Sequence, residues 1–267
     1  EPVLHSVSYS GAWPGHSLLT VEQFLDKAVE LEFKSIALVA KRPHVSPLEY
    51  GLDDRARLKQ AIRERGLHLL AMMGYTDFTV AVDRPGIPSA EMNAAYVESL
   101  ARLSADLEAP ALRIFTGYER AGIAYDQQYT ELVRGLRMAA RAAAPYGVTL
   151  LLQNHHDLAV HHRQLKWLLE EVGEENLRCA FDAWSPFLQG LAGEELRNAV
   201  KELGDWIAWT TVADYQLQPR FRYEPHLVNY ERQTLDLVRA VPCGEGEVDY
   251  ASFFAGLKDA GYTGPVA

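Results

Sequence analysis

The sequence predicts an α/β protein folded as a (β/α)8 TIM barrel whose eighth unit is truncated, and three observations carry that prediction. Short β-rich apolar runs alternate with amphipathic stretches along the whole chain. The resulting strand–helix units are about 30 to 40 residues long and recur seven times, with an eighth begun. The chain has 267 residues, 48% of them hydrophobic, which is enough for one barrel of about 250 residues, so a single domain over 1–267 is expected.

The first strand is read near Leu4. Thr20 then caps a helix over 21–31, in which Val21, Phe24, Leu25, Ala28 and Leu31 fall at helical spacing. A strand from Ser35 leads to a helix over 53–65, charged on one face and stopped by Gly66. After a strand from Leu67, a third helix enters behind Pro88, spans 89–107 and stops before Ala109-Pro110, because a residue preceding proline avoids the helical region. The fourth strand starts near Leu112. The fourth helix, 125–144, ends at Pro145-Tyr146-Gly147 and feeds the run 148–153, whose nearly unbroken apolar character suits a parallel strand covered on both faces. Strands from Leu177 and Ile207 alternate with helices over 161–172, 193–203 and 250–260, and Pro265-Val266-Ala267 opens an eighth strand. Residues 214–246 read as one long irregular connection, rich in Arg, Tyr and Pro.

An open doubly wound sheet is the alternative fold, and the lack of GxGxxG after the first strand weakens its dinucleotide-binding form. The chain stops before the helix that normally seals strand eight, so truncation of that unit is expected. It opens on Glu1 rather than Met, so a trimmed N-terminus is expected; the expected location is cytoplasmic, with export left open.

With 36 acidic against 26 basic residues the formal charge is −10, which disfavours nucleic acid and anionic membrane surfaces as partners. No apolar stretch reaches the roughly 18 residues of a membrane span. Cys179 and Cys243 make neither a disulfide framework nor a CxxC metal spacing, and Cys179 reads as a buried small hydrophobe. A homo-oligomer is compatible with all of this.

In a barrel the C-terminal ends of the strands converge on one pocket. Those ends hold His5; Arg113; Gln153-Asn154-His155-His156-Asp157; Asp182 followed by Trp184; and Thr211 and Asp214. Arg113 within an apolar strand needs either a structural carboxylate or a substrate oxygen as partner. Asp182, after Leu-Arg-Cys-Ala-Phe, is costly in the wall unless it is paired, metal-bound or at the pocket. Trp184 can pack under the rim or stack on a sugar ring. His161 and His162 read as the start of a helix. Asp157 is balanced between a turn former and a functional group. Arg220 and Arg222, bracketing Phe221 in the long connection, could hold a phosphate or a sugar acid, or simply be solvated.

Gln153-Asn154-His155, Phe181-Asp182, Val212-Ala213-Asp214, Gly244-Glu245-Gly246-Glu247-Val248-Asp249 and Gly261-Tyr262-Thr263-Gly264 occur in an order that resembles the xylose-isomerase-like TIM barrels, the sugar phosphate isomerase/epimerase superfamily. The resemblance covers nearly the whole chain. It implies a carbohydrate substrate and one divalent metal ion (Mn, Mg, Zn or Co), held by a Glu on strand five, an Asp on strand six, a His or Gln on strand seven and a Glu on strand eight. In this sequence Asp182 fits the strand-six ligand, Gln153 stands in place of the strand-five Glu, and Thr211 stands in place of the strand-seven His. The strand-eight Glu would fall past Ala267. Asp182 and Gln153 are therefore the expected metal ligands; His155, Gln153 and Asp214 the expected catalytic residues; and His5, Arg113, Trp184, Arg220 and Arg222 the expected substrate contacts.

Because an amide cannot serve as a base, Gln153 argues against two-base epimerisation in the standard form. The expected activity is isomerisation or epimerisation of a sugar or sugar derivative by proton abstraction next to a carbonyl, probed against two alternatives. One is a lyase or dehydratase acting on a keto-sugar or keto-glycoside; the other is a carbohydrate-binding barrel without catalysis. An endonuclease of the same superfamily would need a histidine-rich zinc cluster and an electropositive face, and neither Thr211 nor the net charge suits it.

Overall fold

The computed structural model describes residues 1–12, 15–84 and 86–267. Seven parallel strands follow one another in chain order: β1 (Val3–His5), β2 (Ser35–Val39), β3 (His68–Met73), β4 (Ala111–Ile114), β5 (Thr149–Gln153), β6 (Leu177–Ala180) and β7 (Ile207–Trp209). Val266 bridges Pro2 on one side and Thr210 on the other, both in parallel, so the eighth strand opens where the sequence placed it and closes the ring. The closing bonds include Val3 N–H to Val266 O at 2.8 Å and Ala267 N–H to Thr210 O at 2.9 Å. This is an α/β TIM barrel.

Seven outer helices fall within one or two residues of their expected bounds: α1 (Val21–Glu30), α2 (Leu52–Glu64), α3 (Ser89–Asp106), α4 (Tyr125–Ala143), α5 (His162–Val172), α7 (Gly193–Leu203) and α8 (Tyr250–Asp259). A short α6 (Trp184–Leu188) lies between β6 and α7. Thr20 caps α1 through a reciprocal box with Gln23, and His161 caps α5 by accepting from Arg163 N–H. None of the described helices is long and apolar enough to cross a membrane.

Strand alternation sorts the core into two layers. Ile36, Leu38, Leu112, Leu150 and Leu152 face outward and pack with Phe24, Leu100, Leu136, Leu168 and Val200 of the helices. Val3, Ala37, Ala71, Met73, Leu151, Ala180 and Trp209 form a second cluster that fills the barrel interior. Two residues further along their strands, in phase with that inner layer, come His5, Arg113 (after Ala111), Gln153, Asp182 and Thr211. The period-two geometry thus aims these side chains at the C-terminal mouth.

The connection read as irregular is instead a two-part antiparallel ribbon. β8 (Asp214–Gln218) pairs with β11 (Leu237–Val241), and beyond Pro219 β9 (Phe221–Glu224) pairs with β10 (Asn229–Arg232). Both faces of the outer pair are solvated, with Phe221, Tyr223 and Tyr230 exposed, so no inward–outward apolar alternation marks it in the sequence.

Candidate active site

A hydrogen-bonded row crosses the mouth of the barrel. Arg113 Nη1 donates to Gln153 Oε1 at 3.2 Å, and Gln153 Nε2 donates to Asp182 Oδ2 at 2.8 Å. Guanidinium on one side and carboxylate on the other fix which way the amide points, since only this orientation satisfies both neighbours. Asp182 Oδ1 accepts from the backbone N–H groups of Trp184 and Ser185, at 3.1 and 3.3 Å, so the carboxylate also starts α6. Asn154 clamps the Asp182 backbone twice, accepting from its N–H at 2.9 Å and donating to its carbonyl at 3.1 Å.

Burial dominates the electrostatics. Asp182 is 5% exposed, and burial pushes its pKa up to about 6 against the opposing pull of Gln153, the two backbone donors and Arg113. Burial and the Arg113 charge lower His155 to about 4, with Asp157 pulling weakly the other way. His5 is lowered to about 3 by burial, then by Arg113 and His44. Both imidazoles are therefore neutral near pH 7.

Aromatic rings frame the row. Arg113 Cζ lies 3.9 Å from the Phe115 ring centroid and 4.6 Å from that of Tyr75, and Lys41 Nζ lies 3.7 Å from the Tyr75 centroid. Trp184 stacks on Tyr215 with centroids 4.4 Å apart and sits 5.3 Å from the His155 ring. His156 packs on Phe115 and stacks on Tyr118. Five enclosed polar atoms on four of these residues have no partner: both ring nitrogens of His5, Arg113 Nε, His156 Nδ1 and Trp184 Nε1. Two surface depressions, about 270 and 480 Å3, lie elsewhere, one beside Lys41 and Leu48 and the other between α2 and α3.

The structure thus gathers His5, Arg113, Gln153, His155, Asp182 and Trp184. Asp214 is placed differently. Its carboxylate accepts four backbone N–H bonds, from Tyr215, Gly244, Gly246 and Val248, and clasps the base of the ribbon. Burial raises its pKa, but those four donors outweigh burial and hold it below the usual carboxylate value. Arg220 and Arg222 are exposed on the ribbon, and among the described residues no hydrogen bond or ion pair joins their side chains to the row. Sequence reasoning assigned no part to Asn154, Lys41, Tyr75, Phe115 or Tyr118. The rule that strand ends converge reaches Lys41 and Tyr75, which follow β2 and β3 as directly as Arg113 and Gln153 end theirs. The start of α6 was also legible, as Asp182 two residues before Trp184-Ser185-Pro186.

Residues 25–267 match the family described as xylose isomerase-like TIM barrel. The chain belongs to that family. No match was found among curated proteins. Solved structures similar to this chain include a xylose isomerase domain protein from Alicyclobacillus acidocaldarius subsp. acidocaldarius, at 19% identity and TM-score 0.72, covering 100% of this chain and 88% of that one. The probable 3-DHS dehydratase AsbF from Bacillus anthracis, described as involved in petrobactin synthesis, matches at 18% identity and TM-score 0.72, covering 100% and 92%. A D-allulose 3-epimerase from Methylomonas sp., in complex with D-allulose, matches at 18% identity and TM-score 0.73, covering 100% and 82%. At these identities the likeness establishes the fold.

The metal that the xylose isomerase-like resemblance implies can be tested against the donor set. A hard divalent ion takes several oxygen or nitrogen donors, carboxylates foremost. Here Asp182 stands alone as an acid in the row, and Gln153 turns its nitrogen toward it. The oxygen of Gln153 faces a guanidinium, and the Thr211 hydroxyl accepts from the Trp209 indole at 3.3 Å. Among the described residues no group of three His, Cys, Asp or Glu side chains is placed to hold a metal. The described residues by themselves do not complete a site for a divalent ion, and no step below runs through one.

Proposed function

We propose that this chain is a sugar isomerase/epimerase-like enzyme that abstracts a proton next to a carbonyl of a sugar or sugar derivative. The observation that carries the reading is one buried carboxylate, Asp182, raised to about 6 at the mouth of the barrel and joined through Gln153 to the Arg113 guanidinium, with the neutral His155 ring 5.3 Å from Trp184 in the same mouth. A carboxylate of that pKa is mostly ionised at pH 7 yet more basic than an ordinary one, which suits a general base. It takes the carbon-bound proton, and the electron pair moves onto the carbonyl oxygen. Neutral His155 donates an N–H to that oxygen, and Arg113, two hydrogen bonds from Asp182, favours the negative charge that develops. Gln153 keeps base and cation in register. The stacked faces of Trp184 and Tyr215 offer a wall for the sugar. Isomerisation is completed when Asp182 returns the proton to the adjacent carbon and His155 relays the hydroxyl proton to the former carbonyl oxygen.

One observation favours a second reading, β-elimination by a lyase or dehydratase. With Gln153 in the place of a second carboxylate, the row holds one base, and elimination needs one base and one acid. Incubation of a panel of keto-sugars in D2O separates the two: isomerisation conserves mass and incorporates deuterium, whereas elimination releases water or an aglycone. In either case kcat/KM should rise as pH passes upward through about 6, and Asp182→Asn should lower it by about 100-fold or more. Undiminished turnover in that variant would remove Asp182 as the base.

A further inference from the structure

Arg113 is a buried cation with no acid in contact. It is 4% exposed, its Nη1 bonds to the neutral Gln153 amide, its Nε is enclosed without a partner, and its guanidinium lies against Phe115 and Tyr75. Burial prevails and lowers its pKa, although a side-chain hydrogen bond to Tyr75 and the more distant Asp182 charge oppose it. Among the described residues no ion pair reaches it, while arginines elsewhere do have acids: Arg55 with Asp106, Arg65 with Asp26, Arg120 with Asp77 and Arg134 with Glu91. Moving a guanidinium out of water is unfavourable unless an anion accompanies it. Stacking on two rings recovers only part of that.

Its surroundings carry the same imbalance. His5 has two enclosed ring nitrogens with no partner, Trp184 has an enclosed indole N–H with none, and Lys41 Nζ shares the Tyr75 ring with Arg113. The one acid of the row, Asp182, already accepts three N–H bonds. Lys41 is itself exposed, and a neutral His5 ring contributes one of its two nitrogens as a donor, so the enclosed donors left over are Arg113 Nε, Trp184 Nε1 and one His5 N–H. With the Arg113 charge beside them, the partner they call for is an acceptor bearing negative charge.

We infer that the mouth of the barrel is an anion site and that its substrate is a sugar acid whose carboxylate pairs with Arg113. This rests on the proton-abstraction reading for the word substrate and on geometry alone for the anion. A planar carboxylate matches the guanidinium fork, and a charge-assisted pair of this kind corresponds to about a tenfold to hundredfold gain in affinity.

Calorimetric titration of the purified chain with matched probes tests it: D-glucuronate, D-galacturonate and D-gluconate against D-glucose, D-galactose and D-glucitol, with D-glucose 6-phosphate as the phosphate arm. At least one sugar acid should bind about tenfold or more tightly than its neutral counterpart. The preference should vanish in Arg113→Met and persist in weaker form in Arg113→Lys. Equal affinities, no binding of any sugar acid, a preference that survives Arg113→Met, or tighter binding of the sugar phosphate would each overturn it. Should Arg113→Met fail to fold, the wild-type comparison still decides. Turnover of neutral sugars with no binding of acids would sink this inference and leave the proposed activity standing. Acid binding at Arg113 without hydrogen exchange at carbon would do the reverse.

Discussion

Replacing Asp182 with Asn should make the protein more stable at neutral pH. The carboxyl group has an ordinary pKa of 3.8 and is raised to about 6 by burial. Between those values the folded chain binds a proton that the unfolded chain has released, so stability falls as pH rises through that window and the full cost is present above it. The interval corresponds to about 3 kcal/mol, from about 1.4 kcal/mol per tenfold change in proton affinity. Asn removes the cost, but its amide cannot satisfy every neighbour. Its oxygen can keep the Trp184 and Ser185 N–H groups, yet its nitrogen then meets the Gln153 nitrogen, and turning Gln153 over would set that nitrogen against Arg113. One broken hydrogen bond costs about 1–2 kcal/mol. The net expectation is a gain of about 1–2 kcal/mol at pH 7.5 that becomes a loss of similar size near pH 4. Urea unfolding of both proteins at the two pH values measures it. If the difference between variant and wild type is the same at both, Asp182 is not desolvated as described and its role as a perturbed base goes with it.

Two further outcomes follow from the site and its support. An ideal Cβ on Gly246 would lie 2.0 Å from Asp214 Oδ1, so Gly246→Ala should open the clasp, destabilise the base of the ribbon by about 1–3 kcal/mol and speed amide exchange at Gly244, Gly246 and Val248; unchanged exchange would show that the clasp is dispensable. Dialysis against a chelator should leave melting temperature and turnover unaltered, and titration with Mn2+ should give no saturable heat, because Gln153 presents its nitrogen to Asp182 and Arg113 stands beside its oxygen; a stoichiometric binding isotherm would contradict that donor assignment.

The barrel was legible because its signals are local and repeated. Each strand is a short apolar run and most helices are bounded by a cap or a breaker, as with Thr20 before α1 and Ala109-Pro110 after α3. Strand polarity then follows from connection length, and with it the face on which Arg113, Gln153 and Asp182 gather. The direction of each side chain's hydrogen bonds was not legible. A one-dimensional pattern places Asp182 and Asp214 alike at strand ends, but only the backbone path shows that residues 244–248 wrap around Asp214 and absorb both its oxygens, while Asp182 keeps its second oxygen bonded to a single side-chain amide. The ribbon escaped for a related reason. Its outer pair is between solvated strands, and its inner strand β8 touches the core chiefly through Tyr215, so no period-two hydrophobicity announces it.

Gln153 ties the remaining pieces together. A glutamate there would complete an ion pair with Arg113, neutralise the buried guanidinium and crowd a second negative charge against Asp182, raising that carboxyl further. The amide does neither. It leaves Arg113 without an acid in contact and Asp182 only moderately raised, so on the proposed reading one residue keeps a cation available for an incoming anion and a base available for its proton. The formal charge of −10 does not cancel this locally, since exposed charges farther away than about 8 Å are largely screened at physiological ionic strength, whereas Arg113 acts at contact inside the barrel. Among the described residues, the row that Gln153 organises thus holds a single acid and a fixed positive charge, with a neutral imidazole in the same mouth.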